Sequence, residues 1–164
     1  MNSVVSTFVF AVAVCSQAHA ANLKQVYLDN TQNVHVVTST GKDLRVTTTG
    51  HRTNVKLSSD GETAAWLVNH TWVAEGESEP AASELVIYRH GLMHTIKCEP
   101  FIREYWFWKK GSRVAIDCGS SHFAGQEILY DINTLKKLAS FEQGLVPAEK
   151  RPTWSASSDQ FDSN

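Results

Sequence analysis

From Leu23 onward the chain reads as short runs rich in Val, Ile, Thr and aromatic residues, separated by clusters of Gly, Asn, Asp and Ser. Apolar residues recurring every second position, bounded by turn-forming residues, predict half-buried β-strands. The predicted strands are 24–28, 34–39, 44–48, 54–57, 63–68, 85–89, 93–97, 102–108, 113–118, 127–131 and 136–141. No stretch makes a convincing helix, so the expected class is all-β and antiparallel.

The pattern changes character at the N-terminus. The first 20 residues contain no Asp, Glu, Lys or Arg, and 4–14 is an apolar run interrupted only by Ser6 and Thr7. Such a run matches the apolar segment of a secretory signal and is shorter than the roughly 20 residues a membrane-spanning helix needs. Ala18-His19-Ala20 supplies small residues at the two positions a signal peptidase reads, which predicts a mature start at Ala21. The expected division is therefore a signal peptide over 1–20, an all-β domain over 21–141 and a mostly flexible tail over 142–164. That tail is rich in Ser, Gln, Glu, Pro and Asp, with Trp154 as the residue suited to docking.

A shift of 50 residues lays 36–67 on 86–117 without a gap. Gly41 then meets Gly91, Gly61 meets Gly111 and Ala65 meets Ala115, while Val36/Val86, Val46/Ile96 and Leu57/Phe107 keep their apolar character. An imperfect third copy places Ile128-Leu129-Tyr130 on Val86-Ile87-Tyr88. Four strands in 40 to 50 residues is the size of a propeller blade, a twisted sheet that buries its faces only by stacking on neighbours. Leu57-Ser58-Ser59-Asp60-Gly61-Glu62-Thr63-Ala64-Ala65-Trp66 resembles the turn between the first and second blade strands in TolB-like and WD-repeat-like propellers of exported bacterial proteins, and 108–115 is similar to a degraded copy of it. The resemblance implies propeller-blade-like four-stranded repeats. Two complete blades, 54–97 and 102–141, follow a partial one at 24–48, whereas closed propellers have about four to eight. The expected architectures are a partial or open propeller, a ring completed by homo-oligomerisation, or a β-sandwich built from the same strands.

Charge and cysteine content narrow the partners. The net charge is −2 with both signs interspersed, which points to neither nucleic acid nor an acidic membrane surface, and no second apolar run approaches membrane-spanning length. Cys98 and Cys118 remain after processing, and in an oxidising compartment such a pair is expected to form a disulfide.

Candidate sites are sparse. Phe101, Tyr105, Trp106, Phe107 and Trp108 crowd one strand, with Tyr105 and Phe107 on one face and Trp106 and Trp108 on the other. Trp106 and Trp108 are candidate partner contacts, since tryptophans anchor interfaces. Trp72 lies in a long polar connection that also carries Glu75, Glu77 and Glu79, with no Lys or Arg from 69 to 83. These four residues complete the candidate partner-binding set. His90 and His94 flank a predicted turn but lack a third ligand by spacing, Ser120 and His122 lack the elbow pattern of hydrolases, and Asn69-His70-Thr71 is a formal glycosylation sequon. Neither a cofactor, a metal site nor a catalytic set is expected.

The expected function is an exported, non-enzymatic binding module, periplasmic or secreted, that presents loops to a protein partner in the cell envelope. The alternative is a small inhibitor or immunity-type protein that blocks a cell-envelope enzyme with the acidic loop.

Overall fold

Strands of alternating burial need a partner layer on each apolar face, and the chain supplies these layers in sequence order. A computed structural model describes residues 22–73, 80–120 and 124–155. The first sheet contains β1 (Leu23–Leu28), β2 (Val34–Thr38) and β3 (Asp43–Arg45). The second contains β4 (Arg52–Leu57), β5 (Thr63–Asn69), β6 (Ala82–Arg89) and β7 (Leu92–Lys97), and the third β8 (Ile102–Trp108), β9 (Arg113–Cys118), β10 (Gln126–Asp131) and β11 (Lys137–Glu142). Each sheet is an antiparallel meander whose spatial order follows the chain. The protein is all-β, with three stacked sheets where a sandwich has two. No helix among the described residues is long and apolar enough to cross a membrane.

The 50-residue repeat is in phase with this architecture. Gly41 and Gly91 occupy the β2–β3 and β6–β7 turns at φ 86° and 81°, and Gly61 and Gly111 the β4–β5 and β8–β9 turns at φ 71° and 92°. In register, β2 and β6 are equivalent, so the first sheet lacks a counterpart of β4 and β8. At Gly111 space adds to conformation. A Cβ there would lie 2.7 Å from the Ser58 Cβ and 2.9 Å from both Asp60 carboxylate oxygens, so the turn of the third sheet nests on that of the second. The lower turn is held by its own side chains: the Ser58 hydroxyl donates to Asp60 at 2.5 Å and accepts from the Thr63 N–H at 3.0 Å. The Leu23 N–H donates to the Gly61 carbonyl at 2.7 Å, which ties the first sheet to the same turn.

The second sheet is the middle layer. Along β5, five successive residues from Thr63 to Leu67 are buried, because one face meets the first sheet and the other the third. Ala64 and Trp66 pack with Val34 and Val36, whereas Ala65, Leu67, Leu85 and Ile87 pack with Tyr105, Val114, Ile116 and Ile128. Tyr105 is the main polar tie across this interface. It is fully buried, and its hydroxyl is shared between the carbonyl oxygens of Asn54, at 2.5 Å, and Ala65, at 2.7 Å. Asn54 sits at φ 49° within a register shift of β4, which turns its carbonyl out of the ladder toward this hydroxyl. Burial pushes the Tyr105 phenol well above its ordinary range and keeps the donor protonated.

Two departures from the predicted strands have local causes. β3 ends at Arg45 because the Thr47 hydroxyl accepts from the Val34 N–H at 2.8 Å and donates to Asn33 at 3.2 Å, so side chains take over where a ladder would continue. β6 begins at Ala82, since β5 runs to Asn69 and supplies a pairing partner.

The ends of the stack differ. The outer face of the first sheet is polar: His35 lies between Asp43 at 3.0 Å and Asp29 at 3.5 Å, and stacks on Tyr27. The Tyr27 hydroxyl donates to Asp43 at 2.5 Å, and this bond together with His35 holds the Asp43 carboxyl below its usual range. On the outer face of the third sheet, Trp106, Trp108, Leu129 and Phe141 gather around Trp154. Residues 143–155 return across this face, the Trp106 indole N–H donates to the Trp154 carbonyl at 2.8 Å, and Trp154 is only 8% exposed. The rest of the tail, 156–164, lies outside the described residues, as do residues 1–21 with the predicted signal.

Cys98 and Cys118 form a disulfide that ties the end of β7 to the end of β9. It joins the second and third sheets through a sequence separation of 20, for which the chain-entropy relation gives roughly 3 kcal/mol. The Cys98→Ala/Cys118→Ala double variant is expected to lose about that much in urea unfolding. An unchanged midpoint would show that the bridge adds nothing to the stacked sheets.

Candidate functional site: an aromatic cavity beside the disulfide

The connection leaving β5 is anchored before it reaches solvent. The Asn69 N–H donates to the His51 carbonyl at 2.9 Å, the His70 N–H to the Ala81 carbonyl at 2.9 Å, and the Thr53 hydroxyl to the Asn69 side chain at 2.9 Å. His70 is thus fixed at the mouth of the connection. Its ring stacks on Trp72, with centroids 4.7 Å apart and planes at 24°, and meets Phe101 edge-on at 6.2 Å. The opposite wall comes from the β7–β8 connection, whose start is fixed by the Cys98 N–H donating to the Ser83 carbonyl at 3.0 Å and by the disulfide. Together His70, Trp72, Ser83, Glu99, Pro100 and Phe101 line a cavity of about 550 Å³. This volume falls within the range of small-ligand sites.

The walls of this cavity combine aromatic rings with a carboxylate. Trp72 is 54% exposed although one of its faces rests on His70. Glu99 is exposed at the rim, and Lys97, two residues earlier, is held by Glu84 at 2.7 Å. Among the described residues no ion pair to Glu99 forms, and the lining contains no Lys or Arg.

Of the sequence candidates, Trp72 is placed on this cavity. Trp106 and Trp108 are half-buried on the outer face of the third sheet beneath Trp154, and belong to a different cluster. Glu75, Glu77 and Glu79 lie outside the described residues. The sequence reading missed His70 and Glu99 as wall residues and treated Phe101 as part of the aromatic strand. The only local signal was the proximity of His70 to Trp72, since the other wall is brought in by the disulfide.

Other polar clusters serve the fold. Arg103, at a register shift in β8, donates to Asp117 at 2.6 Å, to Gln143 at 2.5 Å and to the Ser120 carbonyl at 3.0 Å, binding the C-terminal segment to the third sheet. Lys56 donates to Glu104 at 2.7 Å and to the Tyr105 carbonyl at 2.6 Å, between the second and third sheets. His90 approaches Glu62 at 3.7 Å, and His94 is exposed on β7. Among the described residues no group of three His, Cys, Asp or Glu side chains is placed to hold a metal ion. His122 lies outside them.

No protein-family model matches the chain, and no curated protein matches it. Among solved structures, one described as a eukaryotic initiation factor aligns with 80% of this chain at 8% identity and a TM-score of 0.26. This chain spans 46% of that structure's length, and a likeness so slight carries no argument about function.

Proposed function

We propose that this chain is an exported, non-enzymatic binding module that presents loop side chains from a stack of blade-like sheets to a protein partner in the cell envelope. The observation that carries this reading is Trp72, a large aromatic more than half exposed at the edge of a cavity whose base is anchored by backbone hydrogen bonds and a disulfide. Exposed aromatics on anchored connections are the commonest interface anchors. The disulfide and the apolar, uncharged N-terminal run support export. The in-phase glycine turns and consecutive antiparallel meanders support descent from TolB-like or WD-repeat-like propellers, here with three sheets.

Affinity capture from cell-envelope extract with the purified protein as bait tests the reading. The expected result is a specific partner retained over several salt concentrations and reduced with Trp72→Ala bait. Recovery of no specific partner under any of them would overturn it.

A further inference from the structure

We propose that the cavity beside the disulfide receives an arginine side chain from a basic segment of the partner protein, the guanidinium stacking on Trp72 and donating to the Glu99 carboxylate. This rests on the binding-module reading and specifies its chemistry.

Two observations converge on a planar cation. Tryptophan is the aromatic that attracts a cation most strongly, and Trp72 already has its indole oriented by the stack on His70 while more than half of it stays exposed. Glu99 places a carboxylate on the same cavity, where no lysine or arginine of the described chain neutralises it. Arginine suits this better than lysine. Its flat, weakly hydrated guanidinium lies on an indole face and still offers two parallel N–H groups to a carboxylate, which a strongly hydrated ammonium does not. The cavity of about 550 Å³ leaves room for residues flanking the arginine.

The test is a titration of the ¹⁵N-labelled protein with a short peptide carrying two arginines, against the same peptide with citrulline in their place. Citrulline keeps the shape and removes the charge. The Trp72 indole N–H resonance is expected to shift saturably, with half-saturation in the millimolar range. Citrulline peptide, Trp72→Ala and Glu99→Gln are each expected to weaken binding about tenfold, followed for Trp72→Ala through backbone amides of Ser83 and Phe101. Both side chains are exposed, and thermal melting of each variant verifies that it folds. Equal binding of the citrulline peptide, or undiminished binding by Trp72→Ala, would overturn the proposal. A captured partner held equally well by wild-type, Trp72→Ala and Glu99→Gln baits would also overturn it and leave the binding-module reading standing. If no partner is captured, that reading fails, and the titration still decides the arginine site.

Discussion

Replacing Tyr105 by alanine is expected to cost about 4 kcal/mol of stability, the range for emptying a large aromatic site in a packed core. The ring is fully buried between the second and third sheets, beside Phe107 and under the Lys56 ammonium, which lies 4.8 Å from its centroid. Its hydroxyl serves the carbonyl oxygens of Ala65 and of Asn54, the latter at a register shift of β4, so truncation leaves both a cavity and an unmet Asn54 acceptor. Tyr105→Phe separates the two effects. It keeps the volume and is expected to lose only about 1–2 kcal/mol, the cost of leaving a buried acceptor unmet. Urea unfolding of both variants measures the difference. A Tyr105→Ala loss as small as that of Tyr105→Phe would mean that the ring contributes nothing beyond its hydroxyl and that the two sheets are not packed around it.

Trp154→Ala is expected to have the second largest effect, about 3 kcal/mol, together with a change in association state. Trp154 covers Ala115 and Leu129 on the outer face of the third sheet, tilts against Phe141 at 5.6 Å and accepts the Trp106 indole N–H through its carbonyl. Removing the ring uncovers an apolar face rich in tryptophan and phenylalanine, and contiguous patches of that kind drive association. The first sheet ends the stack differently, with Asp29, Asp43, His35 and Arg45 paired in a polar, partly exposed cluster. With one end polar and the other covered, the wild-type protein is expected to give a single-chain mass by light scattering, and Trp154→Ala a larger, concentration-dependent one. A wild-type dimer would instead favour a ring completed by a second copy. An unchanged melting temperature and mass for Trp154→Ala would remove the capping role of the C-terminal segment.

Much of the architecture is local and therefore legible in the sequence. Alternation such as that of Ile102 to Trp108 fixes which side chains share a face before any partner layer is known, and Tyr105 and Phe107 do separate from Trp106 and Trp108 as the period of two requires. The 50-residue repeat was readable because each sheet solves the same problem with the same turns. A left-handed backbone position favours glycine, as at the turns of Gly41 and Gly91. Where a side chain replaced a ladder bond, as Thr47 does beside Val34, the strand boundary was not visible, since that substitution depends on a residue 13 positions away.

The candidate site was legible only in part. Trp72 stood out because a tryptophan in a polar connection has no strand face to occupy. His70, Glu99 and Phe101 did not, because they come from two connections separated by the whole of β6 and β7 and converge through the pairing of these strands and the disulfide. Likewise, nothing local distinguishes a tryptophan covered by another segment from one exposed to a partner. That is how Trp106 and Trp108 entered the list of candidate contacts although Trp154 lies against them.

The sequence by itself determined strand content, the all-β class, the repeat unit and the facing of the aromatic strand. These follow from backbone periodicity and turn chemistry, which act over a few residues. Only the tertiary structure decided that the second sheet is the buried middle layer, that Trp154 closes one end, and that an aromatic cavity with a carboxylate opens beside the disulfide. Those outcomes depend on which faces meet once all strands compete to bury apolar surface, and no single segment carries that information.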